Sequence, residues 1–65
     1  MAAKEQSAGL KVGHRVVALN ALGHIPAGEI GIIKEMRTLQ LGQEAYVDFG
    51  DSVIWTPVTE IGPAS

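Results

Sequence analysis

The sequence predicts an all-β protein, a small five-stranded barrel with a 3₁₀ turn before its last strand. Three stretches carry that expectation: GHRVVAL at 13–19, GEIGIIKE at 28–35 and EAYVDFGDSVIW at 44–55. Each is rich in β-branched or aromatic residues and is bounded or interrupted by glycine, a pattern of pleated strands and tight turns. No stretch repeats apolar residues at helical spacing. Nothing in the chain amounts to a catalytic constellation, and the fold class is far better specified than the activity.

Taken in order, residues 1–9 (MAAKEQSAG) are small and polar with no apolar period, and predict a disordered N-terminal tail ahead of a barrel over 10–65. Leu10-Lys11-Val12-Gly13 is a lead-in turn, and strand one is expected over about 14–20. Asn, Gly and Pro among the apolar residues of 20–27 mark a long hairpin loop. Strand two is expected over about 29–36, a connection closed through Gly42 over 38–43, and strand three over about 44–49. Gly50-Asp51 suits a tight hairpin turn into strand four at about 52–56, which Pro57 ends because proline has no N–H to give to a ladder. Residues 57–61 suit the 3₁₀ turn that leads to a short last strand.

Period-two alternation sorts the faces. Ala45, Val47 and Phe49 share the inner side of strand three, leaving Glu44, Tyr46 and Asp48 outside. In strand one, Val16 and Ala18 inside put Arg15, Val17 and Leu19 outside. Ile30, Ile32 and Ile33 cannot all lie on one face, so strand two either bulges near Gly31 or exposes Ile32. The expected core is Val16, Ala18, Ile30, Ile33, Val47, Phe49 and Val53, with Tyr46, Lys34 and Glu44 at least partly exposed. The apolar residues left over, Val17, Leu19, Ile32, Ile54 and Trp55, are the interface candidates. Trp55 has two readings, core filler or an exposed anchor for a partner.

Sixty-five residues make one domain, and a chain of this length buries only about 60% of the surface that its unfolded form exposes. With no cysteine for a disulfide or a thiolate metal site, good packing and self-association are the ways left to stabilise it. Size therefore points to a homo-oligomer or another protein partner. The absence of a long apolar run or a signal-like start predicts a cytoplasmic protein with no membrane partner. Five Lys and Arg against seven Asp and Glu give a net charge of −2, which argues against a nucleic-acid partner unless Lys11, Arg15, Lys34 and Arg37 gather on one face.

The remaining motifs point to no catalytic, cofactor or metal site. His14 and His24 stand without a cysteine or carboxylate cluster, which makes them surface histidines before metal ligands. Gly28-x-x-Gly31 lacks the further glycine and following helix of a dinucleotide fingerprint, and suits a strand entry. Ser52 has no local base signature, and Asp48 with Asp51 straddles a turn where acidic residues are common.

Gly13-x-Arg15-Val16-x-Ala18, the Ala27-Gly28-x-x-Gly31-x-Ile33 turn and Tyr46-Val47-x-Phe49 resemble the small SH3-like barrels that serve as accessory subunits of electron-transfer and metal enzymes. That group includes a small accessory protein of photosystem I, the variable chain of ferredoxin-thioredoxin reductase and the C-terminal part of the nitrile hydratase β subunit. The likeness spans about 12–61 and rests on structural glycines and core positions, so it implies an SH3-like barrel acting as a non-enzymatic accessory module. One member of the group is an enzyme, the type II dihydrofolate reductase, which builds its site at the centre of a homotetramer from a Val-Gln-Ile-Tyr tetrad. Here Ser52-Val53-Ile54-Trp55-Thr56-Pro57-Val58 resembles the ends of that segment, but Ile54, Trp55 and Thr56 replace the glutamine, isoleucine and tyrosine. The family's lysine after the first strand motif is also missing, since Ala18, Leu19 and Asn20 follow. A diverged reductase-like tetramer and a nucleic-acid-binding barrel are the alternatives to the accessory module.

Overall fold

The computed structural model describes residues 10–64, so the tail expected at 1–9 lies outside the described residues. Five antiparallel strands form one sheet: β1 (Arg15–Ala18), β2 (Ile30–Leu39), β3 (Gly42–Asp48), β4 (Val53–Pro57) and β5 (Ile61–Pro63). A 3₁₀ turn at Val58–Glu60 precedes β5, as the sequence predicts. The sheet order is β4-β3-β2-β1-β5, a meander whose last strand returns beside the first. Strands β4 and β5 are thus at opposite edges yet are joined by one short turn. A flat five-stranded sheet would hold its edges about 19 Å apart. Three 3₁₀ residues advance only about 6 Å. The sheet must therefore curl, although no ladder joins β4 to β5 among the described residues.

The inner face of the curl holds the core: Val16, Ala18, Ile33, Ala45, Val47, Phe49 and Ile61, with Ile25 from the first loop. Five of the expected core residues, Val16, Ala18, Ile33, Val47 and Phe49, are buried, and Tyr46, Lys34 and Glu44 are at least partly exposed. Ile30 and Val53 are corrections: they are 43% and 39% exposed and point outward. The residue that faces inward at the start of β2 is Gly31, paired with Val16. A side chain there has no room, since a Cβ would stand 2.6 Å from Val47 Cγ1, 2.8 Å from Phe49 Cδ1 and 3.0 Å from the Asp48 carbonyl oxygen. Strand β2 does bulge, but at Lys34 and not near Gly31: Ile33 pairs with Val47, Glu35 with Tyr46, and Lys34 is the extra residue. In β4 the inward positions are Ile54 and the buried Thr56, which leaves Val53 and Trp55 outside.

The β2–β3 connection is shorter than the expected span of 38–43. The β2–β3 hairpin turns on two residues, Gln40 and Leu41, with Leu39 paired to Gly42, so both strands run further than the composition of 38–43 indicates. The β3–β4 turn at Gly50-Asp51 is as expected. Phe49 donates its N–H to the Ser52 carbonyl at 2.8 Å, and Gly50, at a φ of 98°, donates to Asp48 Oδ1 at 2.8 Å. The long loop after β1 is folded back on itself by a bridge between Leu22 and Ile25, which drives the Ile25 side chain into the core.

Candidate functional site

The outer face of the sheet is where the side chains with no structural duty collect. Strand pairing places them in cross-strand rows. Val17 lies beside Ile30; Arg15, Ile32, Asp48 and Val53 follow across β1 to β4; then come Glu35, Tyr46 and Trp55; then Arg37, Glu44 and Pro57. The apolar members fall in two groups on the side away from the core, Val17, Ile30 and Ile32 on β1 and β2 and Tyr46, Val53 and Trp55 on β3 and β4, with Asp48 between Ile32 and Val53 and Glu35 beside Tyr46. Leu19 extends the first group past the end of β1, 53% exposed and resting against Gly62 of β5.

Of the interface candidates, the structure brings Val17, Leu19, Ile32 and Trp55 to this face. Ile54 is a correction: it is half-buried and packs against the core, because the phase of β4 is set by Thr56 pointing in. Ile30, Val53 and Tyr46 belong to the face instead, the first two against the expectation that they are core.

Trp55 is half-buried on the outer face and is not core filler. Its ring centroid is 4.8 Å from that of Tyr46, directly opposite on β3, with planes tilted by 32°. Arg37 reaches across from β2 to place its guanidinium carbon 3.9 Å from the Trp55 centroid, a cation–π contact. The same guanidinium donates from Nε at 2.9 Å and Nη2 at 2.6 Å to Glu44 Oε1. An exposed pair of this kind contributes about 0.2–1 kcal/mol, so its chief effect is to hold the Trp55 ring in place and to cover it. The open groove of about 440 Å³ beside the hairpin tip begins where this cluster ends, at Glu44 and Pro57, and carries Leu39 and the fully exposed Leu41.

Charges on the outer face do not form a basic stripe. Arg15, Arg37 and the exposed bulge residue Lys34 stand among Glu35, Glu44 and Asp48, and Arg37 is already paired with Glu44.

One polar pairing escapes sequence reading. His24 Nε2 and Ser52 Oγ share a 2.7 Å hydrogen bond across a separation of 28 residues, beside a cavity of about 50 Å³ lined also by Glu29, Phe49 and Asp51. Nucleophilic catalysis needs the histidine oriented by a third group. Among the described residues no carboxylate is hydrogen-bonded to the His24 ring, and the pair serves to tie the first loop to the β3–β4 turn. No group of three or more His, Asp or Glu able to hold a metal occurs among the described residues, and no helix there is long and apolar enough to cross a membrane. Comparison with known proteins returns no matching family model, no similar curated protein and no similar solved structure.

Proposed function

We propose that this protein is a non-enzymatic interaction module that self-associates through the outer face of its sheet. The observation that carries the reading is the set of apolar side chains, Val17, Ile30, Ile32, Tyr46, Val53 and Trp55, that lie with Asp48 and Glu35 among them on the side of the sheet opposite the core. Apolar side chains gathered on a face that the core does not use are a common mark of a docking face, and a domain of this size gains most from covering them. The strand order and the 3₁₀ turn before β5 are in keeping with an SH3-like barrel, and the sequence resemblance to the electron-transport accessory group is the ground on which we assign it the role of a cytoplasmic accessory subunit. The mixed charge of the face favours a protein partner over nucleic acid.

Sedimentation equilibrium across a wide concentration range tests self-association: the expected result is a mass that rises with concentration to twice the chain mass or more. A strictly monomeric protein overturns the reading. The segment that resembles the reductase tetrad is split by strand alternation, with Ile54 and Thr56 facing inward and only Val53 and Trp55 outside. The Trp55 ring is moreover occupied by Arg37. Hydride transfer requires two flat rings held face to face at reacting distance, and these side chains offer no means of doing so. Dihydrofolate-dependent loss of NADPH absorbance is expected to stay at background, and turnover within about a hundredfold of an authentic type II enzyme would overturn the non-enzymatic reading and move Ile54, Trp55 and Thr56 from packing to chemistry.

A further inference from the structure

We propose that the outer face docks on a second copy of this chain about a two-fold axis running along β2 at Ile32, so that Arg15 of each copy meets Asp48 of the other. This rests on the self-association reading and specifies its geometry. Arg15, Ile32 and Asp48 are successive members of one cross-strand row, on β1, β2 and β3, with all three side chains outside. The two charges are therefore of opposite sign and stand one strand either side of an apolar residue, about 4.8 Å away in each direction. They are two strands apart, about 9.6 Å, a span that an extended arginine can bridge, yet neither forms an ion pair among the described residues. Asp48 has one oxygen committed to the Gly50 N–H and one left over.

Two sheets packed face to face stand about 10 Å apart, and an extended arginine from one and an aspartate from the other span that gap. A two-fold axis lying between the faces and along β2 exchanges the β1 and β3 sides. It sets Ile32 on Ile32 and Ile30 on Ile30 at the axis, with two crossed Arg15–Asp48 pairs flanking them. An in-plane axis at right angles, across the strands at this row, would instead set Arg15 on Arg15 and Asp48 on Asp48. Like charges so placed disfavour that arrangement, and charge thus chooses between the two symmetric ways of burying the same apolar ridge.

The test is a charge exchange on the full chain, followed by sedimentation equilibrium. Arg15→Asp and Asp48→Arg each place two like-charged contacts across the axis and are expected to weaken dimerisation at least about tenfold. Combined in one chain they restore opposite charges, and the dissociation constant is expected to return to within about threefold of the parent. Because Asp48→Arg also removes the acceptor for the Gly50 N–H, the neutral variants Arg15→Gln and Asp48→Asn are measured beside it, the latter keeping an acceptor oxygen. Each is expected to weaken the dimer and to flatten its dependence on salt, and the neutral double variant to be no weaker than either single one. A parent that dimerises while the single changes have no effect, or while neither double variant shows this coupling, overturns the crossed-pair geometry and leaves self-association standing. A parent that is monomeric throughout overturns both.

Discussion

Replacing Phe49 with alanine is expected to remove roughly 3–5 kcal/mol of stability. Small domains have a total near the low end of about 5–15 kcal/mol, so the variant should be largely unfolded at room temperature. Phe49 is the chain's only phenylalanine and is buried, just past the end of β3. Its ring closes the core against Gly31 on one side, and it lines the small cavity under the first loop with Ile25 and Pro26 on the other. The backbone at Phe49 and Ser52 is pinned by the hairpin hydrogen bond, so the surroundings have little freedom to collapse into the space left. Urea unfolding followed by circular dichroism measures the effect; a curve that overlays the parent's would show that Phe49 is not a core residue.

Gly31→Ala is expected to be the most damaging change of a single methyl group. Glycine to alanine in a strand ordinarily stabilises by about 0.4–1 kcal/mol, by restricting the unfolded chain. Overpacking a tight core costs about 1–3 kcal/mol. The steric cost should win here, because two of the three nearest atoms, the Val47 methyl at 2.6 Å and the Asp48 carbonyl oxygen at 3.0 Å, belong to a short branched side chain and to the backbone of a paired strand. Adding Val47→Ala to Gly31→Ala removes the nearest clash, and the double variant should lose less stability than the sum of the two single changes. Equal stability of Gly31→Ala and the parent in thermal unfolding would mean that β2 can shift away from β3 at this point.

Strand β3 is legible because its alternation is clean, with Ala45 and Val47 facing the core as the pattern predicts; β1 is an unbroken apolar run from Val16 to Leu19, and of its two phases the structure adopts the one with Val16 and Ala18 inside. Strand β2 defeats the same rule for a physical reason. Its inward position before Ile33 is Gly31, which has no side chain to register in a hydrophobic pattern, so Ile30 looks like the missing core residue. The bulge at Lys34 then resets the phase, and hydrophobicity gives no sign of where an extra residue enters. Strand β4 misleads through Thr56, a polar residue that is 1% exposed, while the apolar Val53 faces out. In the candidate site, Val17, Leu19, Ile32 and Trp55 are legible as apolar residues left over from the core. The Arg37–Trp55 contact and the His24–Ser52 hydrogen bond are not, because they depend on strand register and on how the first loop folds back.

The pairing of β5 with β1 has a mechanical side. The two strands are antiparallel neighbours, and Ala64 donates its N–H to the Arg15 carbonyl at 3.1 Å, so the chain enters β1 and leaves β5 a single rung apart. A load applied between those two points pulls across the ladder and breaks its bonds one after another, as a zipper opens, whereas a load along the strands would have to break them together. The fold therefore has, in effect, one point of attachment. Spliced into a loop of a larger protein it would spread the flanking chain by little more than a strand spacing, and under tension it would let go of β5 first, while the meander of β1 to β4 kept its own hydrogen bonds.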